Sequence, residues 1–280
     1  MATVRVNGIE VYYEAVGSGF PLVWAHEWGG SSASWDPQVK FFSRYCRVVT
    51  YNARGYSPSE VPATPESYSQ ETAVDDLHGL LRHLDIEEAY LGGLSMGGST
   101  ALNFAIAHPE MTKALVIASS GAGSTGREQF EKDILAMAAT LESRGVEALA
   151  ETFTHGPTRV QLKRKDPRSW QEFYDDFLGH SPVGLSHCLR RIVLGRKTVY
   201  QLESELRTLQ VPILILVGDE DEPCIEPGIF MKRNIPGSGL VVFPQSGHLL
   251  NLEEPQLFNR TILDFLVSVD RGNWVRQRNA

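Results

Sequence analysis

The stretch Gly93-Leu94-Ser95-Met96-Gly97 constrains this chain more than any other. It follows the apolar run Ala89-Tyr90-Leu91-Gly92 and precedes the helix-compatible run from Ser99 to Ala107. A strand, a G-x-S-x-G turn and a helix together make a nucleophile elbow. A serine on so sharp a turn is forced toward positive φ, which lifts its Oγ clear of the sheet. Side chains two positions before and after it would collide, so both places need residues without a Cβ. The start of the following helix points backbone N–H groups at the same spot, and that of Met96 is placed to bind a developing oxyanion.

Glycine and serine are common turn residues, so the pattern alone also fits an ordinary glycine-rich βα turn. Two later elements decide against that. The run Gly239 to Phe243 reads as a short strand, followed by Pro244-Gln245-Ser246-Gly247-His248 and an amphipathic helix from Pro255 to Val269. His248 therefore falls on a loop just beyond a strand, where catalytic groups concentrate. Upstream, Val211 to Val217 is a continuous apolar run, the pattern of a strand buried on both faces. It ends in Gly218-Asp219-Glu220-Asp221-Glu222-Pro223, a loop with four acidic residues, one of which could orient a histidine. The chain order is serine, acid, histidine, which differs from the chymotrypsin and subtilisin orders.

With these segments the chain resembles the α/β-hydrolase superfamily over nearly its whole length. It looks most like the branch of capped esterases, enol-lactonases and meta-cleavage-product hydrolases. Further matching segments are His26-Glu27-Trp28-Gly29-Gly30, Asn52-Ala53-Arg54-Gly55-Tyr56-Ser57-Pro58-Ser59 and Asn251-Leu252-Glu253-Glu254-Pro255. The resemblance implies a triad of Ser95, Asp221 and His248. It selects Asp221 over Asp219 because the family's acid stands three residues after the glycine that closes this strand, and it leaves Glu220 and Glu222 solvated. Some relatives place the acid after the preceding core strand, but here Ser119 to Arg127 contains no carboxylate. The resemblance also assigns the second oxyanion-hole donor to the backbone N–H of Trp28.

Glu27 stands where relatives carry glycine. A carboxylate beside an oxyanion site opposes negative charge if it points inward. The expectation is that its side chain points away, toward solvent or an arginine; the alternative makes it a local acid/base group. His26, Glu27 and Trp28 are expected to be substrate-binding positions. Arg54 is read as structural, tying neighbouring loops together.

The resemblance implies an α/β fold, a mostly parallel sheet with helices on both faces and an inserted helical cap. Residues 1–122 and 208–280 form the expected core and 123–207 the cap. In that segment strand-like runs disappear and helical ones take over, through Phe130, Ile134, Met137 and Leu141, then Trp170, Phe173, Tyr174 and Phe177, then Leu185, Leu189 and Ile192. Its basic residues Arg159, Lys163, Arg164, Lys165 and Arg168 could attract an anionic substrate, but such a run more often forms a solvated face, the reading adopted here. The formal net charge of -8 disfavours nucleic acid and anionic membranes as partners. No stretch reaches transmembrane length, and the N-terminus lacks a signal peptide's apolar core. The three cysteines, Cys46, Cys188 and Cys224, are scattered without metal-ligand spacing and fit reduced thiols in a cytoplasmic enzyme.

These readings describe a serine hydrolase that cleaves a small or medium carboxylic ester or lactone through an acyl-enzyme. No metal or organic cofactor is implied, and the partner is a small-molecule substrate; homo-oligomer formation stays open. Two alternatives stand. One is C–C hydrolysis of the meta-cleavage-product type, or cofactor-free perhydrolysis, by the same triad. The other is a non-catalytic small-molecule receptor. Serine rather than aspartate at the nucleophile position disfavours epoxide-hydrolase and dehalogenase chemistry.

Overall fold

The computed structural model describes residues 2–274; residues 275–280 of the expected core segment lie outside that range. The apolar runs form one eight-stranded sheet in the order β1-β2-β4-β3-β5-β6-β7-β8. Its strands are β1 Ala2–Val6, β2 Ile9–Val16, β3 Pro21–Ala25, β4 Arg47–Tyr51, β5 Ala89–Leu94, β6 Thr112–Ala118, β7 Ile213–Gly218 and β8 Ser238–Phe243. β1 and β2 pair antiparallel, as do β2 and β4, and the pairs from β4 across to β8 are parallel. The β1–β2 hairpin turns at Asn7 and Gly8, whose φ angles of 44° and 78° are the pair that a two-residue turn matched to strand twist requires.

Side chains alternate across a strand, and the alternation builds two cores. Leu22 and Trp24 of β3 enter one core, and Val23 and Ala25 enter the other. The helices, in chain order, are α1 Asp36–Phe42, α2 Gln70–His83, α3 Met96–Ala107, α4 Arg127–Arg144, α5 Glu147–Thr154, α6 Val160–Lys165, α7 Pro167–Leu178, α8 Pro182–His187, α9 Glu203–Thr208, α10 Glu222–Asn234, α11 Leu250–Glu253 and α12 Pro255–Asp270. α1 and α12 cover one face through Phe42, Phe258, Ile262 and Phe265; α2, α3 and α10 cover the other through Leu77, Leu80, Phe104 and Met231.

α4 to α9 lie between β6 and β7, and α8 continues into a π-helical turn, Cys188–Val193. Their apolar residues, including Ile134, Phe153, Trp170, Phe177 and Leu185, join the same core as Trp24 and Phe258. The acidic loop after β7 is shorter than expected, because α10 starts at Glu222 with Asp221 at its N-cap. Proline at the second helical position suits that start, since its missing N–H would have no intrahelical partner there. Arg54 clamps Asp76 of α2 through Nε at 2.9 Å and Nη2 at 2.7 Å, and Asn7 Nδ2 donates to the same carboxylate at 3.0 Å. This buried cluster fixes the β1–β2 turn, α2 and the loop after β4 to one another.

Candidate active site

The carboxyl ends of β3, β5, β7 and β8 converge on one place. β5 runs into Ser95, whose backbone sits at φ 54° and ψ −110°, and α3 begins at the next residue. A non-glycine residue held there costs on the order of 1–3 kcal/mol, so its surroundings must enforce it. The Ser95 N–H donates to Ala118 O of β6 at 2.9 Å, and Ser120 Oγ donates to Ser95 O at 2.9 Å. A Cβ on Gly93 would lie 2.3 Å from the Gly97 carbonyl carbon, and one on Gly97 would lie 2.1 Å from Ala25 O of β3. Both positions of the motif are thus closed to any side chain.

Asp221 is 1% exposed, and its Oδ2 lies 2.9 Å from His248 Nδ1. Burial alone would raise the Asp221 carboxyl, but the charge and hydrogen bond of His248 outweigh it and hold the group below its ordinary value. Asp219 is exposed and its Oδ1 accepts the Ser246 N–H at 3.1 Å. Glu222 is exposed, and Glu220, also exposed, accepts from Gln161 Nε2 at 2.7 Å.

The loop carrying His248 is held from two sides. The His248 N–H donates to Thr158 O at 2.6 Å, a contact with the segment between α5 and α6. Glu253 of α11, 5% exposed, accepts the Gly247 N–H at 2.7 Å and the Leu249 N–H at 3.0 Å. Burial pushes the Glu253 carboxyl up to about 7, while these two hydrogen bonds pull it down.

Ser95, Met96, Asp221, His248 and Trp28 line one cavity of about 190 Å³. Its other wall comes from the helices between β6 and β7, through Phe130, Ile134, Met137, Phe153, Leu189 and Val193, with Arg159 and Arg196. The indole of Trp28 is fixed by Nε1–H donating to Leu185 O at 3.0 Å and by an edge contact with Phe153, centroids 4.8 Å apart.

Two sequence expectations need correction here: solvent as the side to which Glu27 turns, and the solvated face for Arg159. His26 and Glu27, expected with Trp28 to bind substrate, do not line this cavity. His26 is buried with Nδ1 2.8 Å from Glu27 O, and its Nε2 accepts the Ala53 N–H at 3.0 Å; it ties the loop after β3 to the loop after β4. Its desolvation lowers the imidazole to about 4, so it is neutral. Glu27 is 0% exposed, not turned to solvent; its Oε1 accepts from Ser34 Oγ at 3.0 Å. Burial raises its carboxyl to about 7, against the pull of Ser34 and of the Arg159 charge. Arg159, read as part of a solvated face, instead lines the cavity with its guanidinium 4.0 Å from the Phe153 ring centroid. The reason is local: Arg159 precedes α6, whereas Arg164 and Lys165 fall in that helix's last turn and are exposed.

Cys224, scattered from the other cysteines in sequence, is brought by the first turn of α10 to Asp221 and His248. One ligand atom from each of the three lies within 4.8 Å of the others. This is the arrangement among the described residues that could hold a metal ion. The hydrogen bond between His248 Nδ1 and Asp221 Oδ2 already engages two of its members. All three cysteines are free and buried.

Residues 21–255 match the family model for the alpha/beta hydrolase fold, and the chain belongs to that family. It is 26% identical over 242 residues to 3-oxoadipate enol-lactonase 2 of Acinetobacter baylyi, covering 86% of each chain. Among solved structures it is similar to the enol-lactonase from Burkholderia xenovorans, with a TM-score of 0.85 and 26% identity over 95% of this chain and 100% of that one. A thermophilic esterase from Thermogutta terrifontis superposes with a TM-score of 0.86 and 27% identity, over 96% of this chain and 99% of the other. The protein is a hydrolase of this fold. Among the described residues no helix is long and apolar enough to cross a membrane.

Proposed function

We propose that this protein is a serine hydrolase of small or medium carboxylic esters or lactones. The observation that carries the reading is that Ser95 at positive φ and the His248–Asp221 pair open into one cavity. Ser95 Oγ attacks the substrate carbonyl while His248 takes its proton. The backbone N–H groups of Trp28 and Met96 bind the oxyanion as the tetrahedral intermediate forms. His248 then protonates the leaving oxygen, the acyl-enzyme remains on Ser95, and a water activated by His248 releases the acid. Asp221 keeps the His248 Nδ1 proton in place and stabilises the imidazolium. The enol-lactonase and esterase relatives favour an oxygen ester or lactone over C–C cleavage, perhydrolysis or a receptor role. The residues from 123 to 207 act as a cap over this site. The buried free thiols support a reducing compartment such as the cytoplasm as its location.

The test is turnover of p-nitrophenyl butyrate by the wild type and by Ser95→Ala, with a fluorophosphonate to label the nucleophile. The expected loss in Ser95→Ala is on the order of 10⁴ or more, because triad members act as a unit. The label should map to Ser95 by peptide mass. Near-normal turnover by folded Ser95→Ala, or labelling elsewhere, overturns the mechanism.

A further inference from the structure

The cavity wall formed by the segment between β6 and β7 is largely apolar but carries two guanidinium groups. Arg159 and Arg196 are half-buried and both line the cavity. Arg159 Nε and Arg196 Nη1 are buried without a hydrogen-bond partner. Their hydrogen bonds go to neutral groups and are long: Arg159 Nη1 donates to Thr158 Oγ1 at 3.3 Å, and Arg196 Nη2 donates to Ala122 O at 3.4 Å; the Arg159 guanidinium also lies over the Phe153 ring. Among the described residues neither arginine forms an ion pair. Arg159 feels the charges of Asp221 and Glu27, but Asp221 is hydrogen-bonded to His248 and Glu27 to Ser34, so neither carboxylate takes a guanidinium hydrogen bond. Desolvation lowers both guanidinium groups to about 10, so both remain charged at neutral pH.

A buried charge without a partner is costly, and removing one partner of a buried ion pair costs several kcal/mol for that reason. Two such cations in one cavity are hard to justify as packing. Other cations of the same segment carry partners: Arg127 binds Glu131, Lys165 binds Glu254 and Arg190 binds Glu142. The guanidinium fork fits a carboxylate, and an apolar wall strengthens the pairing.

Resting on the reading above, we infer that the substrate carries a second, free carboxylate, which Arg159 and Arg196 bind across the cavity from Ser95. The scissile ester or lactone carbonyl then lies at Ser95, the aliphatic stem lies against Phe130, Ile134 and Met137, and the free carboxylate completes the unpartnered donors. The natural substrate class is the half-ester or lactone of a dicarboxylic acid. Arg159 and Arg196 determine specificity and leave the chemistry to Ser95 and His248.

The experiment compares monoethyl adipate with ethyl hexanoate, which lacks the free acid, by pH-stat at neutral pH. The wild type should prefer the half-ester by at least about tenfold in kcat/KM. Arg159→Gln and Arg196→Gln should each reduce that preference by about tenfold or more, through KM, as expected for loss of a charge-assisted pair. Arg159→Lys should restore part of it, and Arg164→Gln, an exposed cation on the same stretch, should leave it unchanged. Calorimetry of monoethyl adipate with Ser95→Ala reads the same contact without turnover: binding should be measurable there and lost when both arginines are also replaced by glutamine. A wild type without the preference, or variants that lose both esters equally, overturns the inference while leaving the hydrolase reading intact. Equal loss would mean that the arginines support Asp221 and His248 and do not read the substrate. If neither ester is turned over, the hydrolase reading fails, and the calorimetric arm still decides whether the arginines bind the carboxylate.

Discussion

The carboxylate of Glu253 holds the main chain on both sides of His248, taking the N–H of Gly247 at 2.7 Å and that of Leu249 at 3.0 Å. A histidine that must both accept and deliver a proton needs a fixed ring, and here the fixing acts through the backbone. Glutamine at this position keeps one acceptor and turns an amide toward the other N–H. A buried donor left unsatisfied costs about 1–3 kcal/mol. Glu253→Gln should therefore lower Tm by roughly 3–10 °C. If Glu253 is a positioning residue for His248, kcat on p-nitrophenyl butyrate should fall while KM stays within about twofold. Glu253→Asp, which retains both oxygens, should recover part of kcat. A lowered Tm with unchanged kcat would show a structural role alone.

Asp221 and Asp219 separate by placement. Asp221 is buried against His248, whereas Asp219 is exposed and accepts a backbone N–H from Ser246. An asparagine in place of Asp221 would present an amide to Nδ1 and favour the wrong tautomer of His248. Asp221→Asn should reduce kcat by about 10⁴, the scale known for the equivalent change in a serine protease. Asp219→Asn, measured on the same ester, should stay within about tenfold. The reverse ranking with both proteins folded would show that Asp219 serves His248.

The strand pattern was legible because it is periodic. The run from Ile213 to Gly218 is buried on both faces and reads as apolar throughout, and the Asn7-Gly8 turn announces its hairpin. The elbow was legible because steric exclusion at Gly93 and Gly97 leaves its mark on residue identity. Less legible were groups whose role depends on which neighbours fold against them. Arg159 shares a basic run with exposed Arg164 and Arg168, and only the chain path before α6 turns it into the cavity. Cys224 and Glu253 reach the surroundings of His248 through helices whose starts carry weak signals: Asp221 is an N-cap without a side-chain cap bond, and α11 spans 4 residues. The burial of Glu27 was not legible, because a charged residue on a loop is ordinarily solvated, whereas this one is enclosed by Ser34 and Gly30.

Glu27 supplies the pH-dependent prediction. Its carboxyl is raised from 4.5 to about 7, chiefly by burial, and its Oε2 has no hydrogen-bond partner. Between those two values the native state binds more protons than the unfolded state. Stability contributed by Glu27 is therefore full below about 4.5, falls as pH rises toward about 7, and is flat above. Glu27→Gln keeps a neutral side chain of the same shape at every pH. Its Tm relative to wild type should accordingly rise between pH 5 and pH 8. Glu253 shares the direction of shift, but it is common to both proteins and cancels in the difference. Because Glu27 lies outside the cavity lining, kcat/KM of Glu27→Gln should stay within about tenfold of wild type, roughly 1.4 kcal/mol. A Tm difference that does not move with pH would show that Glu27 is ionised in the fold. A collapse of kcat with a shifted pH–rate profile would make Glu27 a participant in proton transfer.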